Sequence, residues 1–216
     1  MKHIARRLFF APLAIGLLAC GQASAEGFAL GAKAGTTGLG LEGTWGLSQS
    51  VNLRGGYYFF DYSTELEESG VDYDGDLELQ NAALFVDWHP FQGGFRLSAG
   101  GVQTGNEFLG FADGDVEVGG NTYTAVLDAK VGWSTFAPYL GLGFGNAVRS
   151  GRWSFAFDLG VMFTGTPSVR LEGTVNDPVL QAQFEQDVAQ EEAELREELK
   201  DAKYFPVLSL GVAYRF

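Results

Sequence analysis

Residues 204–216 (YFPVLSLGVAYRF) alternate between two kinds of side chain. One face carries Leu208, Leu210, Val212, Tyr214 and Phe216, and the other carries Val207, Ser209, Gly211, Ala213 and Arg215. Successive side chains of a strand point to opposite faces. The pattern therefore predicts a strand with lipid on one side and a narrow polar lumen on the other.

The same period of two recurs along the chain and predicts eight strands. The predicted strands cover residues 27–35, 38–46, 51–62, 76–88, 94–105, 135–147, 153–166 and 204–216. Short links at 47–50, 89–93 and 149–152 alternate with long links at 63–75, 106–134 and 167–203. Outer-membrane barrels have short periplasmic turns and long outer loops. We expect an all-β fold: an eight-stranded antiparallel up-and-down transmembrane β-barrel with both termini in the periplasm.

Residues 122–133 form a further alternating run. A ninth crossing would place Phe216 at the wrong end of the barrel, so we interpret this run as a strand extension above the membrane. A ten-stranded barrel with one more crossing remains the alternative.

The N-terminus has the pattern of a secretory signal. Lys2, Arg6 and Arg7 precede an apolar run at 8–19, and Ala-Ser-Ala at 23–25 forms an A-x-A cleavage site. The run is too short for a membrane-spanning helix. We expect a signal peptide at 1–25 and a mature β-barrel domain at 26–216. The stretch LLAC at 17–20 allows a lipoprotein reading, with Cys20 as the lipidated residue.

Charge and composition exclude several classes. The chain has 216 residues, 31 of them glycine, and a formal net charge of −13, which argues against nucleic-acid binding. Aromatic residues make up 14% and fall near the predicted strand ends, in the two bands expected where hydrocarbon meets water.

Charged side chains fall at the predicted inward positions. They are Lys33, Glu42, Arg54, Asp87, Arg96, Asp158 and Arg215. The interior of an eight-stranded barrel is just wide enough for its side chains to fill. We expect these charges to pair and plug the lumen. The alternative is a narrow, porin-like channel for small solutes, cations among them, with these charges setting its selectivity.

The long links are predicted to carry any specific function. Residues 178–203 are rich in helix formers and lack glycine, and they predict an acidic amphipathic helix in the last outer loop. The apolar stripe is expected to comprise Leu180, Phe184, Val188, Leu195 and Leu199. It would pack on the barrel mouth or neighbouring loops, cover the lumen, or dock a partner.

Acidic residues also crowd the predicted outer loops. Asp72, Asp74 and Asp76 form a possible cation-binding loop, since carboxylates are calcium ligands. Solvated, self-repelling loops are the simpler interpretation.

Catalysis has little support in the sequence. His89 is the one histidine after residue 25, and it falls in a predicted short turn. We interpret it as an interfacial turn residue, and we expect neither an enzyme nor a cofactor.

The stretches GLSQSVNLR at 46–54 and APYLGLG at 137–143, with Tyr214 and Phe216 at the end, resemble small outer-membrane barrels. The families are the OmpA-like transmembrane domain and the opacity-protein type. The resemblance implies a Gram-negative outer membrane, contact with its lipid and lipopolysaccharide, and insertion by the barrel assembly machinery through Tyr214 and Phe216. It further implies a monomer with an envelope-structural or surface-interaction role. We do not expect the wall-tethering role of full-length OmpA proteins, which depends on a peptidoglycan-binding domain.

Overall fold

The computed structural model describes residues 27–68 and 71–216 and consists of antiparallel strands and a helix. The strands are β1 (Phe28–Gly35), β2 (Gly38–Gly46), β3 (Val51–Glu68), β4 (Val71–Trp88), β5 (Phe95–Thr104), β6 (Glu107–Val118), β7 (Asn121–Gly132), β8 (Phe136–Phe144), β9 (Trp153–Phe163), β10 (Ser168–Val175) and β11 (Tyr204–Arg215). Helix α1 (Gln181–Glu198) lies between β10 and β11, followed by a 3-10 turn at Leu199–Asp201.

Eight strands pair into a closed ring in the order β1, β2, β3, β4, β5, β8, β9, β11. β11 returns to β1, with Ala29 opposite Arg215 and Gly35 opposite Ser209. Closure pairs every strand on both sides and leaves no free edge within the ring. The eight predicted crossings are confirmed as ring strands, and the ten-stranded alternative is wrong for the described residues.

Two 18-residue strands carry the sheet beyond the ring. β2 pairs with β3 up to Phe59, and β5 pairs with β4 up to Asn81, but β3 and β4 stay paired with each other to Glu68 and Val71. β6 then pairs with β4, β7 with β6, and β10 with β7. We call residues 61–78, 106–134 and 167–203 the extension.

The extension corrects the predicted long links. Residues 63–68 and 71–75 are the paired ends of β3 and β4 rather than loop residues, and 106–134 is largely β6 and β7. The run at 122–133 is strand β7, outside the ring as expected. Leu66 and Tyr73 lie on one face of the paired ends, and Glu67 and Asp72 lie on the other. This alternation is typical of a strand with one apolar and one charged face. It was missed because so many closely spaced acidic residues suggested a solvated loop.

Helix α1 packs on one face of the extension. Phe184 and Val188 are buried against apolar side chains of β6, β7 and β10, and Leu195 is partly buried there. Leu180, which was expected in this stripe, is exposed. The helix itself was predicted correctly. Of the alternatives given for its apolar stripe, the structure shows packing on the neighbouring outer segments, which are strands.

α1 also covers the free edge of β10. Leu171 N donates to Glu192 Oε2 at 3.0 Å, and Val175 N donates to Gln181 Oε1 at 3.3 Å. Arg196 Nη2 donates to Val169 O at 3.2 Å. Side chains of the helix thus satisfy backbone groups that would otherwise form an open sheet edge.

The predicted signal peptide and Cys20 lie outside the described residues. Within the described part of the chain, no helix has the length and apolar character needed to cross a membrane.

Candidate functional site

A network of buried charges fills the middle of the ring, and Arg54 on β3 is its centre. Arg54 Nε and Nη2 donate to the two oxygens of Asp87 at 2.8 and 3.1 Å, and Nη1 donates to Glu42 Oε1 at 2.8 Å. Its guanidinium also lies 4.7 Å from the ring centroid of Phe85. A guanidinium presents five donors in a planar fork, so Arg54 can join three strands at once.

Two further cations complete the network. Lys33 Nζ pairs with Glu42 Oε2 at 3.0 Å and with Asp158. Arg96 Nη2 donates to Asp158 Oδ1 at 2.6 Å, and Nη1 donates to Gly145 O at 2.5 Å. Three cations therefore face three carboxylates, which balances charge in a buried site where an unpaired ion would be costly.

The structure brings together six of the seven predicted inward charges, and the seventh lies elsewhere. Arg215 lies where the ring's short turns are, and its Nη1 donates to Val148 O at 3.1 Å. Arg215 lies opposite the buried Ala29, on the inward face, as predicted. It is at the end of β11, however, and is too far along the strand to reach the network.

Sequence reasoning missed the neutral partners of the network. Ser98 Oγ donates to Asp87 Oδ1 at 2.5 Å, and the Tyr58 hydroxyl donates to Glu42. Both lie at inward positions of their strands, so the alternation of the sequence could have identified them as lumen residues. Neither carries a charge that would have drawn attention to it.

An apolar layer lies between the network and the extension. It consists of Tyr58, Ala83, Phe85, Val102, Ala137, Tyr139, Met162 and Val207. A cavity of about 20 Å³ separates this layer from the charges, and a second of about 20 Å³ lies on the other side of the network. A space of this size holds about one water molecule, so packed side chains fill the lumen.

The short-turn end is closed by a polar cluster. Asn52 Nδ2 donates to His89 Nε2 at 3.1 Å and to Asn146 Oδ1 at 3.3 Å. His89 Nδ1 lies 3.0 Å from Gly93 O and donates to it, since Nε2 accepts. The interpretation of His89 as an interfacial residue is therefore wrong: it is in the predicted turn but is 1% exposed.

The possible cation-binding loop is a strand. Asp72, Asp74 and Asp76 lie on β4, at alternate positions of its outward face. Alternate residues of a strand are about 6.6 Å apart, too far for three carboxylates to close on one ion without a turn. Within residues 27–68 and 71–216, no group of three acidic, histidine or cysteine side chains is arranged to hold a metal.

The outer surface of the ring has the opposite character from its interior. Large apolar side chains cover it from one end to the other: Leu30, Leu41, Leu84, Leu97, Leu140, Leu142, Phe155, Phe157, Leu159, Leu208 and Leu210 are all exposed. Aromatic residues lie near both ends, including Trp88, Phe144 and Trp153 at the short turns and Tyr57, Phe136 and Tyr204 towards the extension. The protein is therefore defined by a closed antiparallel ring of eight strands, with paired ions inside and apolar side chains outside.

Two solved structures have a similar fold. The fold is similar to that of CarO2 from Acinetobacter baumannii, with a TM-score of 0.60, 23% identity, and coverage of 88% of this chain and 98% of that one. CarO from the same organism gives a TM-score of 0.56, 23% identity, and coverage of 88% and 97%. A major outer membrane protein from Thermus thermophilus gives a TM-score of 0.41, 15% identity, and coverage of 88% and 98%.

Sequence comparison adds no closer relationship. No family model matches the chain, and no curated protein matches it at a significant level. The likeness to solved structures, at these identities, concerns the fold.

Proposed function

We propose that this protein is an integral β-barrel of the bacterial outer membrane with a sealed lumen and a non-enzymatic role. The observation that carries the proposal is the inversion of polarity in the ring. Its outer surface is apolar, while six charged side chains pair inside. Apolar residues in such numbers would be unfavourable against water, whereas lipid is their natural surrounding.

The dimensions of the apolar surface fit a bilayer. Trp153 and Tyr214 lie opposite each other at one end of β9 and β11, and Phe163 and Tyr204 lie opposite each other at the other end. Ten residues separate the two aromatic pairs, which is about 33 Å along a strand. At the strand tilt of about 40° found in membrane barrels this gives an apolar band of about 25 Å, the height expected for an outer membrane.

The extension is the surface available for a specific role. Of the 27 acidic residues, all but Glu26, Glu42, Asp87 and Asp158 fall within it. With the lumen filled, we assign function to this acidic structure, which would stand outside the cell in either an envelope-structural or a surface-interaction role. The OmpA-like and opacity-type resemblance supports the same architecture, and monomeric insertion by the assembly machinery through Tyr214 and Phe216 is part of the proposal.

Depth-dependent fluorescence quenching tests the membrane assignment. Trp45, Trp88 and Trp153 lie at the short-turn end of the ring, and Trp133 lies in the extension. In vesicles of lipids brominated at defined depths, a protein with Trp133→Phe should be quenched most by bromines near the headgroups. A protein that keeps Trp133 alone should resist quenching. Equal quenching of both, or none of either, would overturn the proposal.

A narrow channel for small cations is the second candidate. The ionised side chains in the lumen, with a small cavity on each side of them, favour it. Rings of charge select ions in channels. Lys33 and Arg54 line both cavities and would have to move to join them. Conductance decides between the candidates.

A further inference from the structure

The sheet of the extension has one acidic face and one apolar face. Cross-strand partners point to the same face, and Leu66 lies opposite Tyr73, which lies opposite Ala112. A second row joins Tyr62, Leu77 and Phe108. The even-numbered residues of β3 that form this apolar face continue the series of Arg54 and Tyr58, so the face looks over the mouth of the ring and not towards lipid.

Helix α1 covers only part of this face. It packs on β10 and β6, where Phe184 and Val188 fill the space above Ala125 and Leu171. Val71, at the start of β4, is buried with the side chains of α1, but the rest of this face on β3, on the next residues of β4 and at the start of β6 is more open. Tyr62 and Leu66 are each 57% exposed, Tyr73 is 42% exposed and Phe108 is 40% exposed. We call these four residues the apolar strip.

The size of the apolar strip matches one short helix. The strip crosses three strands, whose outer axes are about 10 Å apart, which is the diameter of a helix with its side chains. From Tyr62 to Leu66 the strip runs about 13 Å along β3, the length of about nine helical residues. A segment of that length could lie beside α1 on the same face.

Acidic side chains of α1 border the strip. Asp187 accepts hydrogen bonds from Asn121 and Tyr123, and Glu191 accepts one from Gly119, so both lie on the side of the helix away from the β10 edge. Residues seven apart share a helical face. Glu194 and Glu198 therefore continue this acidic border towards the ring.

The acidic border along α1 favours an occupant of the strip that carries positive charge. A second copy of α1, or the anionic headgroup of lipopolysaccharide, would bring like charge against the acidic border and against an extension with 23 acidic and five basic residues. A basic segment would gain attraction at the border while its apolar side covered the strip.

We propose that the apolar strip docks a cationic amphipathic helix of about nine residues supplied by a partner peptide or protein. The proposal rests on the surface-interaction role and names its partner class. Apolar side chains of the partner would pack on Leu66 and Tyr73, and its Lys or Arg residues would face Glu194 and Glu198.

Fluorescence anisotropy with a defined probe tests this docking. The probe is a fluorescein-labelled Leu/Lys peptide of about twelve residues with its leucines on one helical face, added to the full protein refolded in zwitterionic detergent. We expect saturable binding that weakens about tenfold in the double variant Leu66→Ser with Tyr73→Ser. Glu194→Gln with Glu198→Gln should weaken binding several-fold at low salt, and the difference should shrink in about 0.5 M salt.

Matched substitutions away from the strip keep the test specific. Val179→Ser removes an exposed apolar side chain before α1, and Glu172→Gln removes a charge from the other face of the sheet. Both should bind the probe like the wild type, and a peptide of the same composition with scattered leucines should bind weakly. Absence of binding, or equal binding by wild type and the strip variant, would overturn the proposal, and so would equal losses in the control variants.

The outcomes separate this proposal from the membrane assignment, because the assay needs no bilayer. If the peptide binds the strip but brominated lipid does not quench the tryptophans, the docking proposal is supported and the membrane assignment is contradicted. Quenching without strip-dependent binding would remove only the docking surface.

Discussion

Arg54 on β3 donates two hydrogen bonds to Asp87 on β4, from Nε to Oδ2 at 2.8 Å and from Nη2 to Oδ1 at 3.1 Å. Both side chains are buried. The pair joins β3 and β4, the two strands that continue beyond the ring into the extension. This geometry makes the lumen a structural core of ions, since each charge finds a partner of opposite sign.

Removing one member of the pair should destabilise the protein strongly. Arg54→Met leaves Asp87 and Glu42 short of a cation in the buried lumen, and we expect a loss of about 3 to 5 kcal/mol. Urea unfolding in lipid vesicles, followed by gel mobility of the unheated protein, measures it.

The control for this variant is Arg170→Met, whose partner Glu172 lies at 3.9 Å with both side chains exposed. It should cost less than about 1 kcal/mol. Similar losses in the two variants would contradict a structural network.

Lipid contact predicts a dependence on depth. Leu159 lies at mid-height on β9 and Leu47 lies in a short turn, and both are exposed. Leu159→Arg places a charge in hydrocarbon and should cost about 2 to 4 kcal/mol, whereas Leu47→Arg should cost about 0 to 1 kcal/mol. Vesicle-based unfolding compares them, and equal costs would show that the surface at Leu159 faces water.

The eight ring strands were predictable because each alternates strictly between side chains of the polar lumen and apolar side chains of the outer surface. Of the extension, only α1 and the run that forms β7 were predicted, although the outer ends of β3 and β4 alternate too: Leu66 and Tyr73 face one side and Glu67 and Asp72 the other. Closely spaced acidic residues resemble a solvated loop, and the pairing partners in β6 are distant in sequence. The burial of His89 depended on Asn52 and Asn146, and the three meet only when the ring closes.

A glycine on β9 makes room for an aromatic side chain of the apolar layer. A Cβ at Gly160 would overlap the ring and hydroxyl of Tyr139. Gly160→Ala should therefore destabilise the ring by about 1 to 3 kcal/mol. Tyr139→Leu in the same chain should recover part of that loss.

Gly55→Ala serves as the comparison, because its Cβ would find its nearest atoms at 3.8 Å. Thermal unfolding in detergent ranks the variants. A neutral Gly160→Ala would mean that the layer around Tyr139 is looser than described.

Docking of α1 should weaken in acid. Leu171 N–H, and then Arg196, hold the pKa of Glu192 below its usual value of 4.5. A carboxylate with a lowered folded-state pKa stabilises the fold above its unfolded pKa, and the contribution is lost as pH falls through the folded value. Glu192→Gln should therefore lower the stability of the extension at about pH 7 and make no difference once the pH is well below the lowered folded-state pKa of Glu192.

Fluorescence of Trp133 reports this unfolding, since its Nε1 donates to Ala202 O at 3.1 Å just after α1. The measurement uses a chain in which the other three tryptophans are phenylalanine, with Glu172→Gln as the control. If the wild type and Glu192→Gln differ in the stability of the extension by the same amount at low pH as at about pH 7, the assigned role of Glu192 is contradicted.

Conductance in planar bilayers tests the sealed lumen most directly. The wild type and the variants Asp87→Ala and Arg96→Ala would be refolded, and insertion confirmed by protease protection of the ring. The account predicts a silent wild type, with both variants less stable to heat. Reproducible cation-selective steps in the wild type, altered by either variant, would contradict the sealed lumen and establish a channel.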